Sequence, residues 1–216
     1  MKLMRPDRLE YALPLFIEET RILSLLRDVT GVVPLLEGGF IQLDQPSLPS
    51  EDRTASAEAL TGKVIRYGLD SVHNFLADIE KKASQGWIPY LAIEPQKQSD
   101  NLLLLCDTGH TRGRFLPILD GLIMAIQICD ILEVAHGRNI VYRDHKILHY
   151  YWQNEYNGIF MLDWNVARRY PEGLSPNEIQ FDLVQFGARA LHYILTGRPA
   201  PGALPLGPNR PDEIEA

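Results

Sequence analysis

The sequence predicts an α+β fold, a small layer of short antiparallel strands followed by a mainly helical part. Three observations carry this. Two short apolar runs flank Gly38-Gly39 within Val32–Leu43, and another strand-like run spans Trp87–Glu94. Pro117–His136 has apolar residues on most turns and is far too long for a strand. Phe181–Thr196 reads as a last helix, stopped at Gly197 by a C-cap glycine.

The remaining elements follow in order. Residues 1–5 read as a short strand, and Asp7 to Asp28 as helical in one or two pieces, the main one from Pro14 to Arg27. Proline is tolerated near a helix start, and Ile17, Ile22, Leu25 and Leu26 supply a buried stripe. Residues 44–56 have linker composition, and Ala57–Ala83 reads as a helical insertion, broken near Gly68. Its apolar face is expected to pack on the small sheet and cover an open edge. Asp100–Cys106 reads as a short helix. Val141–Trp152 and Gly158–Trp164 read as two short strands joined by a loop, and the tail from Arg198 on as irregular.

Composition excludes several classes. The chain has 216 residues, 45% apolar and 23% charged, with a formal net charge of -7. That suits one large or two small globular domains and excludes collagen-like, mucin-like and wholly disordered chains. An acidic chain gets no general electrostatic help with nucleic acid or anionic lipid, so neither is an expected partner. No run approaches a membrane span, and the start lacks a signal-peptide core. The two cysteines, Cys106 and Cys129, have no zinc or redox spacing, and Cys129 reads as a core thiol. The expected location is the cytoplasm.

The chemistry is concentrated in Tyr142-Arg143-Asp144-His145-Lys146, just after the long helix, and in Asp163, 19 residues beyond Asp144. Phosphoryl transfer asks for one carboxylate to orient the attacking hydroxyl, a cation near the transferred phosphate, and a second carboxylate to hold magnesium. Asp144, Lys146 and Asp163 are of these three types, in order, with a helix before and a helix after. His145, His149 and Asp163 also permit a metal cluster, although packed or solvated loop histidines are the commoner outcome. His136 reads as structural, satisfying the carbonyls that end its helix.

On these residues the chain resembles the eukaryotic-like protein kinase family. Tyr142–Lys146 is similar to the catalytic loop H-R-D-L-K in its Y-R-D form, and Asp163-Trp164-Asn165 stands where D-F-G is expected. Phe181–Gly187 resembles the family's D-V-W-S-L-G helix, Glu18–Leu23 its C-helix, and Pro89–Glu94 the strand leading to the adenine hinge. The resemblance implies a protein-kinase-like two-lobed fold over 1–202. Residues 1–94 would be the small lobe with the 57–83 insertion, 95–202 a shortened, mainly helical large lobe, and 203–216 a tail. It also implies roles. Asp144 is the catalytic base and Lys146 reaches the transferred phosphate. Asp163 binds the metal, with His149 in the second metal position. Lys2 holds phosphates and pairs with Glu19. The backbones of Glu94 and Gln96 face the adenine, and Asp182 braces the catalytic loop.

The departures from the family shape the functional expectation. The resemblance begins inside the family's third strand, so the expectation is a truncated small lobe without the Gly-rich loop, either because the reading frame is cut short or because the fold dispenses with that hairpin. His149 replaces the metal-binding asparagine, Asn165 replaces the D-F-G glycine, and 16 residues separate Asn165 from Asp182 with no A-P-E signature. Magnesium prefers oxygen ligands, whereas imidazole suits manganese or zinc. The expected function is ATP-dependent phosphoryl transfer to protein Ser/Thr hydroxyls, weak or incomplete, with Mg or Mn as the ion and an unidentified protein substrate or partner. The alternatives are a pseudokinase scaffold and a small-molecule phosphotransferase.

Overall fold

The structure, a computed structural model, describes residues 1–4, 9–43, 62–111 and 116–201. Contacts divide the chain into two compact units, one of residues 1–20 and 35–94, the other of 21–34 and 95–216. Among the described residues no helix is long and apolar enough to cross a membrane.

The first unit is built on a four-stranded sheet. Its strands are β1 (Lys2–Leu3), β2 (Leu35–Leu43), β3 (Gly62–Gly68) and β4 (Ile88–Ile93), in the order β1-β4-β2-β3 and all antiparallel. Helix α1 (Leu9–Leu25) follows β1 as one continuous helix with Pro14 inside it. Helix α2 (Val72–Ser84) buries Val72, Phe75, Ile79 and Ala83. Phe75 meets Phe40 of β2 and Tyr67 of β3, with ring centroids 5.0 and 5.8 Å away.

Two expectations fail here for physical reasons. The helix expected over 57–83 is a strand followed by a shorter helix, and 57–61 lie outside the described residues. Residues 62–68 pair with β2 at seven positions, and half-buried Ile65 and Tyr67 alternate with exposed Val64 and Arg66. That is a period of two. Short apolar runs fit either period, and here the neighbouring strand decides. The added strand lies beyond β2, at the opposite end of the sheet from β1, so it does not cover the edge at β1. The linker 44–56 and the tail 203–216 also lie outside the described residues.

The second failure is the turn or bulge expected at Gly38-Gly39, since β2 runs through both. These glycines answer crowding. A Cβ on Gly39 would stand 2.4 Å from the Ile65 carbonyl oxygen and 2.6 Å from the Tyr90 ring, which lies across the strand with its hydroxyl donating to Glu37. On Gly38 it would meet the Phe75 ring at 2.9 Å. Gly39→Ala should therefore cost about 1–3 kcal/mol by overpacking. Gly68→Ala, where no atom of the described residues lies within 4 Å, should shift the urea midpoint little. Equal midpoint shifts for the two would refute the crowding argument.

The second unit is mainly helical. Helix α3 (Leu102–Thr111) extends beyond the expected 100–106, and α4 (Ile118–Gly137) matches expectation within a residue or two. Helix α4 buries Gly121, Met124, Ala125, Ile128, Ile131, Leu132 and Ala135. Cys129 is off that face and exposed, so it is not a core thiol; Cys106 is the buried one. Short β5 (Ile140–Val141) pairs with β8 (Arg168–Arg169), and β6 (Tyr150–Gln153) forms a hairpin with β7 (Gly158–Met161). Residues 142–149, expected to be part of a strand, are a loop ending in a 3-10 turn, Ile147–His149.

The last helical stretch starts earlier than expected. Helix α5 (Pro176–Gln185) begins at Ser175, whose N–H and hydroxyl both donate to the Glu178 carboxylate, at 2.9 and 2.8 Å. This serine-to-glutamate spacing, followed by a proline, is a helix-start signal visible in the sequence. A π turn over Phe186–Leu191 leads into α6 (His192–Thr196), and Gly197 ends it with φ 67°, as expected of a C-cap glycine.

Candidate functional site

The site grows from one buried carboxylate. Asp182 on α5 is fully buried, and each of its oxygens accepts two hydrogen bonds. Oδ1 accepts from the Arg143 N–H at 2.7 Å and from His145 Nε2 at 2.9 Å. Oδ2 accepts from the Tyr142 N–H at 3.0 Å and from His136 Nε2 at 2.9 Å. An ionised carboxylate only accepts, so both histidines carry their proton on Nε2. Burial alone would push the Asp182 carboxyl up. The hydrogen bonds from His136, His145 and Arg143 outweigh burial and hold it far below the ordinary carboxylate range.

This anchor shapes the loop. Arg143 sits at φ 69° and Asp163 at φ 57°, left-handed values that are uncommon outside glycine. Such conformations persist where surroundings over-determine them. Asp182 holds the Arg143 N–H, and Asp163 lies between the Leu162 N–H, which donates to the His149 carbonyl at 2.9 Å, and the buried Trp164. Trp164 packs edge-on against Tyr142 at 4.8 Å, and its Nε1 donates to the Met161 carbonyl.

The loop and the turn at Asp163 bring four candidate side chains together. Lys146 Nζ donates to Asp144 Oδ2 at 2.8 Å. His149 is buried, with Nδ1 3.1 Å from the Asp144 carbonyl oxygen and Nε2 3.5 Å from Asp163 Oδ2. One ligand atom each from Asp144, His149 and Asp163 lies within 4.8 Å of the others. Burial lowers the His149 pKa despite the opposing charges of Asp144 and Asp163, which keeps the imidazole neutral and able to ligate. Two carboxylates and one neutral imidazole are a donor set that fits a divalent cation.

His145 does not join this cluster. Its ring is fully buried, donating to Asp182 and accepting from the Tyr150 hydroxyl at 2.6 Å, while Asp144 takes the third place beside His149 and Asp163. His136 likewise serves Asp182 rather than carbonyls of its own helix. No helix or strand period runs through 142–149, so these partnerships had no signal in the sequence.

The other singled-out residues lie elsewhere in the chain. Lys2 Nζ donates to Glu19 Oε1 at 2.8 Å inside the first unit, with the Glu19 side chain 4% exposed. Glu94 follows β4 as the last residue of that unit. Gln96 belongs to the second unit, where its side-chain oxygen accepts from Gln153.

The chain matches no protein-family model, and no curated protein matches it. Among solved structures, the PK-1 kinase of Cydia pomonella granulovirus is similar over 91% of this chain, with a TM-score of 0.50 and 15% sequence identity. The match covers 59% of the viral kinase, so the chain spans about three fifths of its length. At that identity the likeness speaks to fold alone. This chain is a mixed α/β protein, a small antiparallel sheet with helices, and its fold is kinase-like.

Proposed function

We propose that this chain is a protein-kinase-like phosphotransferase that uses ATP and a divalent ion to phosphorylate a Ser/Thr hydroxyl of a protein. The carrying observation is the convergence of Asp144, Lys146, His149 and Asp163 on one loop system braced by Asp182. In this reading the Asp144 carboxylate accepts a hydrogen bond from the substrate hydroxyl and aims its oxygen at the terminal phosphorus of ATP. As the new P–O bond forms, the bond to the departing ADP breaks and Asp144 takes the proton. Lys146 balances charge on the transferred phosphoryl group. Asp163 and His149 would hold the divalent ion, which supplies charge neutralisation at the phosphates. Lys2, positioned by Glu19, would take the inner phosphates, and the backbones of Glu94 and Gln96 the adenine. The kinase-like fold supports this assignment.

A binding module without transfer activity is the second reading. His149 favours it, because imidazole is a poor partner for magnesium.

Thermal unfolding with ATP separates the two. A ligand at 100 times its Kd stabilises by about 2.7 kcal/mol, which for a domain of this size raises Tm by roughly 5–10 °C. With millimolar ATP, the shift should be well below that with magnesium and larger with manganese, and Asp163→Ala should abolish it. Transfer of labelled phosphate to a mixed protein substrate should fall about 10²–10⁴-fold in Asp144→Asn, with the ATP-induced shift kept. Absence of a shift with either ion would sink the nucleotide reading. A shift without any transfer would favour the binding module.

A further inference from the structure

His149 has a fixed tautomer, and that sets what its second nitrogen can do. The Tyr142 hydroxyl gives its proton to the Leu162 carbonyl at 2.6 Å, so it does not need to donate to His149. Nδ1 faces the Asp144 carbonyl oxygen at 3.1 Å, and a carbonyl only accepts, so Nδ1 carries the proton. Nε2 therefore presents a lone pair, and it points towards Asp163 Oδ2, 3.5 Å away. The side chain is only 6% exposed, so water has little access to it. A histidine whose other ring N–H is held by a backbone carbonyl is the usual arrangement of a metal-ligating imidazole.

The spacing distinguishes between ions. Two donors 3.5 Å apart, each about 2.1 Å from one ion, subtend roughly 110°, close to the tetrahedral angle that zinc favours. Octahedral magnesium at about 2.1 Å asks for donors roughly 3 Å apart and prefers oxygen throughout. Asp144 offers a third donor, a carboxylate: one ligand atom from each of the three residues lies within 4.8 Å of the others, so the Asp144 oxygen would close in on an ion about 2.1 Å from each donor, with a fourth position left for water or a ligand.

We propose that His149 Nε2, Asp163 and Asp144 form a zinc site that fills without nucleotide and discriminates against magnesium. It uses the residues of the phosphotransfer reading and rests on that reading for its place in catalysis. The binding itself needs neither ATP nor transfer, so the two can fail separately. Because the ion engages Asp144, zinc and the substrate hydroxyl would compete for the same carboxylate.

The test is calorimetric titration of the chelator-treated full chain with zinc, manganese and magnesium chlorides, without nucleotide. Zinc should bind with one equivalent, and magnesium at least about tenfold more weakly. His149→Asn should lower zinc affinity by about 10–100-fold, the loss typical of damage to a metal-binding histidine's environment. In the wild-type chain the ¹⁵N resonance of His149 Nε2 should shift on zinc addition. Zinc affinity unchanged by His149→Asn, or magnesium binding as tightly as zinc, overturns the proposal. If His149→Asn does not fold, the zinc-to-magnesium ratio and the Nε2 resonance of the wild-type chain decide alone. Failure here leaves a magnesium-dependent transferase open, and loss of ATP binding leaves the zinc site standing.

Discussion

Asp182→Asn is expected to lower the unfolding free energy by about 3–5 kcal/mol at pH 7, the usual loss when one partner is removed from a buried charged network. The fully buried carboxylate accepts from two backbone N–H groups and two histidines. An amide nitrogen in place of one oxygen would face donors with a donor. The pH dependence follows from the direction of the shift. The Asp182 pKa is held well below its unfolded value. Its stabilisation is therefore complete above the unfolded pKa of about 4 and is lost as pH falls from there towards the folded pKa. Guanidinium unfolding of wild type and variant should thus show a gap that is widest near neutrality and narrows below pH 4. A gap of the same size at pH 7 and pH 2 would show that the ionised carboxylate is not the source of the stability.

Trp164→Ala should cost about 3–5 kcal/mol, the range for deleting a large buried aromatic. Trp164 is fully buried and stacks edge-on against Tyr142, whose hydroxyl bonds the Leu162 carbonyl just before Asp163. The cavity would therefore open beside Asp163. Trp164→Phe is expected to cost far less, about 1 kcal/mol, because it keeps most of the ring contact and loses a single hydrogen bond. The Met161 carbonyl would not be orphaned, since it also accepts from the Val33 N–H at 3.1 Å. Urea midpoints of the two variants test this, and a phenylalanine variant as unstable as the alanine one would shift the explanation from packing to the indole N–H.

Much of this protein was legible in the sequence because the signals are local. The 20-residue α4, the glycine that ends α6, and the strand before Glu94 each follow from period, length or a capping residue within a few positions. The spatial grouping of Asp144, Lys146 and Asp163 and the hydrogen bonds of Asp182 to the loop N–H groups were readable for a different reason, because fixed spacings in a motif stand in for a tertiary arrangement. The start of α5 is also written locally, in Ser175 and Glu178, ahead of the apolar run beginning at Phe181.

The rest was decided in three dimensions. Residues 62–68 are a strand because β2 offers seven pairing positions, a partner that no window around Val64 and Ile65 contains. Gly38 and Gly39 look like turn residues until the Phe75 and Tyr90 rings are seen against them. Cys129 reads as buried in an apolar helix, yet among the described residues only one face of that helix is covered, and Cys129 is off it. His145 and His149 sit four residues apart in one irregular loop, where periodicity predicts nothing. One bonds Asp182 and the other faces Asp163, because the loop's left-handed turn at Arg143, held by Asp182, directs the two rings to different partners. Sequence determined which chemical groups were present and in what order. Tertiary packing decided which carboxylate each imidazole meets, since that choice depends on contacts between residues far apart in the chain.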